Sequence, residues 1–315
     1  MNVEREYLYN RIQYISLRLS IIFTGRGYIA REKESAIRGA IGNALLDVYC
    51  SNNDEMNRDC LVCDNRKNCT VQNVLYSPFR IKPDFVTTGE SIGYILECNN
   101  KKKEFSKGED LQFNTILFGQ CAEYAEILID AVAKAGEKGL GRDKLKFRLN
   151  YVCDRKNRLI YENEKWHREN LTYEYISEYV EERKKELYDR SNINIRFLTP
   201  ATIKFQKQFI SSFIPEAVLE SMARRIYMLN CYVGNEIEYP YIMVEDLPEA
   251  GKEKSELEEV HRYSERKKSN VILKGLCGSL EMQGVSQWIL ELILACELTH
   301  VGKNTSFGFG KYKVE

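Results

Sequence analysis

Between residues 12 and 23 apolar side chains fall on alternate positions, Ile15, Leu17, Leu19 and Ile21. That is the two-residue period of a strand with one buried face. The period then changes. In REKESAIRGAIGNALLDVYC, Ala36, Ile37, Ala40, Ile41, Ala44, Leu45 and Val48 recur at helical spacing and leave Arg38, Asn43 and Asp47 on the opposite face. Strand patterns follow in GYILEC and DLQFNTILFG. A second helix is predicted in AEYAEILIDAVAKAGEKG, with Gly136 or Gly139 as its stop, and another strand in KLKFRLNYVCD. The first half therefore predicts β-α-β-β-α-β, the ferredoxin-like order.

Residues 154–192 are densely charged, as in EERKKELYDR, and predict a linker or insertion whose charges are solvated. The pattern resumes in INIRFLTPATIKF, a strand broken or bulged at Thr199-Pro200. PEAVLESMARRIYMLNCYVG predicts a helix with Pro215 in its first turn, NVILKGLCGSLEM a strand, SQWILELILACELT a helix and FGFGKYKV a closing strand. Both halves end alike, a helix followed by Gly-x-Gly, a basic residue and a strand: GLGRDKLKF at 139–147 and GFGKYKV at 308–314. This echo supports two related β-α units side by side. They are residues 1–153, with a cysteine-bearing insertion at about 50–80, and residues 193–315.

Charge alters this picture little at first. The 315 residues carry 46 basic and 46 acidic side chains, so bulk charge does not argue for a nucleic-acid partner and any anion site must be local. No uncharged apolar run approaches the ~18 residues of a membrane span. The charged start MNVEREYLYNR lacks a following apolar signal region, and the ten cysteines are dispersed. These features predict a cytoplasmic protein with reduced thiols and no membrane partner. Cys60-x-x-Cys63, Cys69 and Cys50 are the cysteines that could act together. Four thiolates suit a closed structural zinc site, and free cysteines in a loop are the alternative.

The chemistry concentrates at the end of the chain, THVGKNTSFGFGKYKVE. A helix entering a glycine-rich loop suggests phosphate binding, but here the order is helix, loop, strand. A P-loop or dinucleotide fingerprint runs from strand to helix, so a nucleotide cofactor is not expected. Gly302, Gly308 and Gly310 permit positive φ, Lys303 and Lys311 flank them, and Asn304, Thr305 and Ser306 add neutral hydrogen-bonding groups. No acidic residue lies between Glu297 and Glu315. The loop suits an extended polyanion; the alternative is a tight connection using glycine for geometry alone.

This ending, with KGLCGSLEMQGVSQWILELILACELT before it, resembles the C-terminal signature of the RAMP-type CRISPR-associated endoribonucleases that process precursor CRISPR RNA. AIRGAIGNAL is similar to that family's first-helix motif and CLVCDNRKNCTVQNVLYSPF to its cysteine-bearing insertion. LQFNTILFG and GLGRDKLKF are similar to its mid-chain blocks, and RFLTPATIKF to the start of its second half. The resemblance implies an α+β fold of two tandem ferredoxin-like domains. It also implies that the glycine-rich loop and the cleft between domains hold CRISPR repeat RNA, with other CRISPR effector subunits as further partners. Arg262, Arg266, Lys267, Lys268 and Lys274 would then be phosphate contacts, which position RNA and make binding salt-dependent.

Enzymes of this kind cut without metal. The RNA's 2′-hydroxyl attacks the adjacent phosphate, leaving a 2′,3′-cyclic phosphate and a 5′-hydroxyl. The reaction needs a proton acceptor, a proton donor and positive charge at the phosphorane. Many relatives carry a catalytic histidine in or near the first helix, whereas this chain has none before His167. His300, at the mouth of the glycine-rich loop, is the histidine candidate, and its alternative is a residue closing the helix end or packing under the loop. His167 and His261 are less well placed. A second route uses Tyr28, Arg31 and Lys33 before the first helix and Arg38 on its polar face. The missing histidine also leaves open a non-cleaving, RNA-binding structural subunit.

Overall fold

The computed structural model describes residues 8–51, 60, 63, 65, 69–86, 91–188, 190–264 and 269–315. The chain forms two compact units. One comprises residues 14–78 and 87–173; the other comprises the chain up to Gln13, residues 79–86 and residues 174–315. We call them the N-terminal and C-terminal units.

The N-terminal unit contains β1 (Gln13–Phe23), β2 (Gly27–Tyr28), α1 (Glu34–Tyr49), α2 (Thr70–Leu75), β3 (Tyr94–Glu97), β4 (Glu104–Phe105), β5 (Asp110–Phe118), α3 (Ala125–Lys138), β6 (Phe147–Asp154), β7 (Leu159–Glu162) and β8 (Lys165–Trp166). Its main sheet is antiparallel in the order β3-β5-β1-β6-β7-β8. Without the β7-β8 extension, the four inner strands have the ferredoxin-like arrangement, the first and third in the middle. Alternation in β1 does what its period predicts: Leu17, Leu19, Ile21 and Phe23 are buried. Ile37 and Ile41 of α1 and Val132 and Ala135 of α3 meet Ile21, Phe113 and Phe147 of the sheet, which closes the core.

The C-terminal unit contains β9 (Glu174–Tyr175), α4 (Ile176–Leu187), β10 (Ile193–Ala201), β11 (Lys204–Phe205), β12 (Gln208–Phe209), α5 (Pro215–Val233), β13 (Glu249–Ser264), β14 (Ser269–Gln283), α6 (Gln287–Thr299) and β15 (Tyr312–Val314). The sheet order β13-β14-β10-β15 repeats the same topology. The β10–β14 register shifts between Phe197 and Ala201, across Thr199-Pro200, where proline removes a ladder donor. Both units are ferredoxin-like.

Two features lie outside what periodicity predicts. β13 is a strand of sixteen residues paired along β14, yet EAGKEKSELEEVHRYS has no alternating apolar set. It is an edge strand, and none of its described side chains is buried. Such a strand is held by its ladder, and lysine and glutamate discourage further pairing. Residues 154–192 are divided between the units: β7 and β8 extend the first sheet, while α4 packs on α6. There Arg183 donates to Glu297 through Nε (2.8 Å) and Nη2 (3.1 Å) and to the Val314 carbonyl (3.0 Å). Ile176, Val180 and Leu187 supply α4's buried face.

Candidate nucleic-acid interface

The α6–β15 connection is fastened to β10 by its backbone. The Val301 N–H donates to Gly310 O (3.1 Å), the Gly310 N–H to Pro200 O (2.9 Å) and the Lys303 N–H to Thr202 O (2.9 Å). Thr199 Oγ1 donates to Gly308 O (2.7 Å) and accepts from the Lys311 N–H (2.9 Å). The bulge at Thr199-Pro200 is therefore the loop's anchor, a role invisible in the one-dimensional pattern. Gly310 lies at φ 69°, and a Cβ there would stand 1.8 Å from Val301 O, so the approach admits glycine alone. These N–H groups face protein acceptors, which moves ligand contact toward side chains. Lys303 is exposed, Gly302, Asn304 and Lys311 are half-buried, and Thr305, Ser306, Gly308 and Gly310 are buried.

The β13–β14 hairpin brings basic groups to the same loop. The Arg262 guanidinium stacks on the Phe307 ring at 4.4 Å, a contact that needed both partners to be seen and that sequence reading of Arg262 alone missed. Lys274 Nζ is paired with Glu259 Oε1 at 2.5 Å, its cross-strand neighbour. The salt bridge and hydrogen bond from Lys274 hold the Glu259 carboxyl below its ordinary range. Arg266, Lys267 and Lys268 lie outside the described residues.

His300 is fully buried, and its Nδ1 is 3.0 Å from the Phe309 carbonyl. It closes α6 at φ 57°, ψ 170°, a backbone region that is almost reserved for glycine. The imidazole thus lies under the loop, between its first and ninth residues. His167 and His261 are on the surface, beside Glu169 (3.5 Å) and Glu259 (3.9 Å) respectively.

In the N-terminal unit, Tyr28 lies on the short β2 strand, 44% exposed, with its N–H donating to Asp143 Oδ2 (3.0 Å). Lys33 is different. Its side chain is fully buried, and its ammonium donates to the carbonyls of Asn100 (2.7 Å) and Arg31 (3.3 Å). Burial, opposed by the charges of Cys98 and Glu34, lowers its pKa. It clamps the chain entering α1 to the segment after β3, and it offers no charge at the surface from there. Arg38 Nε donates to the Tyr94 hydroxyl, tying α1 to β3. Arg31 is exposed beside Glu32 (3.6 Å).

The four cysteines converge only loosely. Cys50 closes α1, Cys69 precedes α2, and Gln72 in the first turns of α2 donates to the Cys60 carbonyl. Burial pushes the Cys60 thiol up, with Cys50, Cys69 and Cys63 adding to it and a hydrogen bond with Tyr76 opposing. None of the four is in a disulfide, all four are half-buried, and no three histidine, cysteine or acidic side chains among the described residues are grouped as metal ligands. No helix among the described residues is long and apolar enough to cross a membrane.

Residues 12–175 match the AF_1859_N family model, described as an N-terminal domain, and residues 195–312 match the model of the CRISPR-associated endoribonuclease Cas6. Among solved structures the chain is similar to a partial Cas6-RT-Cas1–Cas2 complex (12% identity, TM-score 0.56, covering 98% of this chain and 47% of that one). It is also similar to a Cas6 product complex (14%, 0.52, 96% and 99%) and to Thermus thermophilus Cas6 (13%, 0.50, 96% and 99%). The chain thus spans about half the length of the first of these. At such identities the likeness is one of fold. No curated protein matches the chain in sequence.

Proposed function

The chain belongs to the Cas6-like CRISPR-associated proteins, through its AF_1859_N domain and its Cas6 domain, and from that premise we propose that it cuts CRISPR repeat RNA in precursor transcripts to give guide RNAs. The observation that carries this reading is the end of the Cas6 domain. There a rigid loop presents Lys303 and Lys311 beside the Arg262–Phe307 stack. Cations serve the phosphates, and a guanidinium on an aromatic ring is a platform for an unpaired base. Similar structures include a Cas6 product complex and Cas6 joined to RT-Cas1 and Cas2, which supports RNA and other CRISPR proteins as partners.

In this reading the 2′-oxygen attacks phosphorus, the 5′-oxygen leaves, and no metal takes part. The 2′-hydroxyl gives up its proton and the 5′-oxygen gains one. Of Tyr28, Lys33, Arg38 and His300, Tyr28 is the exposed one, so its phenol is our candidate for contact with the reacting groups. Lys33, Arg38 and His300 act as positioning residues through the chain segments they hold. The buried His300 and Lys33 also favour a second reading, an RNA-binding subunit without cleavage. For Cys50, Cys60, Cys63 and Cys69 we propose a structural zinc site, read out as one zinc per chain that is lost in Cys60→Ser; metal-free protein with all four thiols reactive removes it. The whole protein is taken to act in the cytoplasm.

One assay separates the two RNA readings. Purified protein is incubated with repeat RNA in chelator, and the product ends are analysed. A cyclic phosphate product that disappears with a 2′-deoxy substitution at the cut establishes cleavage. Tight binding without product establishes the subunit reading, and absence of binding overturns both.

A further inference from the structure

Three loops meet at one end of the N-terminal unit's sheet. They are residues 24–33 after β1, residues 98–110 around β4, and residues 139–146 between α3 and β6. Backbone bonds stitch them together, with the first loop in the middle. Ile29 N–H donates to Lys103 O (2.8 Å), Gly108 N–H to Phe23 O (2.8 Å), and Thr24 N–H to Lys146 O (3.0 Å). Asp143 takes the Tyr28 N–H from the other side. The platform is therefore built into the fold rather than hung from it.

Its charge is unlike that of the chain. These loops hold ten basic residues against five acidic ones, in a protein with equal numbers of both. Four of the acids in these loops already have partners: Glu32 with Arg31 and Lys101, Glu104 with Arg26, Glu109 with Lys102, and Asp143 with a backbone N–H. Lys103, Lys107, Arg142, Lys144 and Lys146 are exposed, and none of them has an ion pair among the described residues. They flank Tyr28 on both sides, because the loops carrying them are bonded to either side of its strand.

Five exposed cations around an exposed ring on a rigid support fit one class of ligand, a flexible polyanion with stackable groups. We propose that this end of the N-terminal unit is a second RNA-binding surface, on which Lys103, Lys107, Arg142, Lys144 and Lys146 take the backbone phosphates of single-stranded RNA and Tyr28 stacks its ring on a base beside the cut, with its phenol toward the reacting groups. The proposal rests on the RNA reading above and adds a site that the C-terminal loop does not contain.

The test uses the full chain and a labelled single-stranded repeat RNA, with affinity measured over a range of salt. One variant changes all five cations to glutamine. A control changes Lys165, Lys185, Lys207, Lys252 and Lys254, five exposed lysines outside these loops, and so removes the same charge. Unchanged thermal midpoints establish that both fold. The first variant should bind more than tenfold more weakly, with the salt slope falling by about 0.7 for each phosphate no longer neutralised. The control should stay within about twofold of wild type. Tyr28→Ala should weaken binding roughly tenfold with the slope unchanged, as loss of one stacked base does. Wild-type affinity and slope in the five-cation variant, with wild type binding RNA, overturns this surface alone. So does an equal loss in the control. No binding by wild type overturns the RNA reading itself.

Discussion

Replacing Gly310 by alanine tests whether the C-terminal loop is rigid in the way described, and a second glycine supplies the reference. Gly284 and Gly310 share φ 69°, but a Cβ at Gly284 meets nothing within 4 Å, whereas at Gly310 it would meet Val301 O at 1.8 Å and Val301 C at 2.8 Å. Gly284→Ala therefore measures the left-handed conformation alone, about 1–2 kcal/mol. Gly310→Ala adds an overlap with backbone, which no rotamer change relieves. Moving Gly310 away strains the bonds to Val301 and Pro200, each worth about 0.5–1.5 kcal/mol. The expected total is about 3–5 kcal/mol. Urea unfolding of the two variants side by side, followed by circular dichroism, reads the difference directly. A cost for Gly310→Ala no greater than for Gly284→Ala would refute the close approach and, with it, the rigid loop.

Other perturbations follow from buried polar groups. Glu34 is buried, accepts from the Cys98 N–H (3.1 Å), and has its pKa raised by burial. A raised carboxyl pKa contributes stability below the unfolded value and loses it as pH rises through the folded one, so Glu34→Gln should gain on wild type from about pH 4 upward; parallel stability–pH curves remove the effect. Arg183→Met leaves Glu297, 6% exposed in its side chain, without its bidentate partner, and should cost about 3–5 kcal/mol in thermal unfolding. Lys33→Met strands the Asn100 and Arg31 carbonyls and should lower stability by about 2–4 kcal/mol, whereas the salt slope of RNA binding by the folded variant should be unchanged, because the buried ammonium neutralises no phosphate. His300→Gly should be more stable than His300→Ala by about 1–3 kcal/mol, because only glycine relieves the backbone at φ 57°; equal stabilities would refute that strain.

Much of the fold was legible because it is written in apolar spacing. β1, α5 and α6 bury apolar residues that their periods select, α1 buries Ile37, Ile41, Ala44 and Leu45 but leaves Val48 of the same predicted face 44% exposed, and Thr199-Pro200 marks a bulge where proline predicts one. β13 was not legible, since an edge strand with no buried described side chain carries no apolar period to read. Residues 154–192 read as solvated charge, and many of their charged groups are exposed, but Asp154 is buried, Arg183 pairs with the buried side chain of Glu297, and Ile160 is buried in the N-terminal unit and Ile176 and Val180 in the C-terminal one. At the candidate site, residue types were legible and their surroundings were not. Tyr28, Lys33, Arg38 and His300 are all plausible in sequence, and only packing distinguishes an exposed phenol from a buried ammonium and a buried imidazole.

The two Gly-x-Gly segments sharpen this distinction. Gly139 closes α3 directly at φ 84°, where a Cβ would lie 2.2 Å from Lys144 O. In the C-terminal unit that capping position is occupied by His300, and the glycines come eight and ten residues later, just before β15. The echo in sequence is therefore not an equivalence of position. The fold demands a left-handed residue after the second helix of each repeat, and glycine satisfies the demand in the first at no steric cost. In the second a buried histidine meets it with strain of about 1–3 kcal/mol. Helix closure alone does not account for an imidazole there, because glycine would close the helix better. What the imidazole adds is its hydrogen bond across the loop to Phe309, which fixes the segment that carries Lys303 and Phe307. The strain is thus the cost of holding Lys303 and Phe307 in one place, and under the proposed RNA reading His300 is a positioning residue.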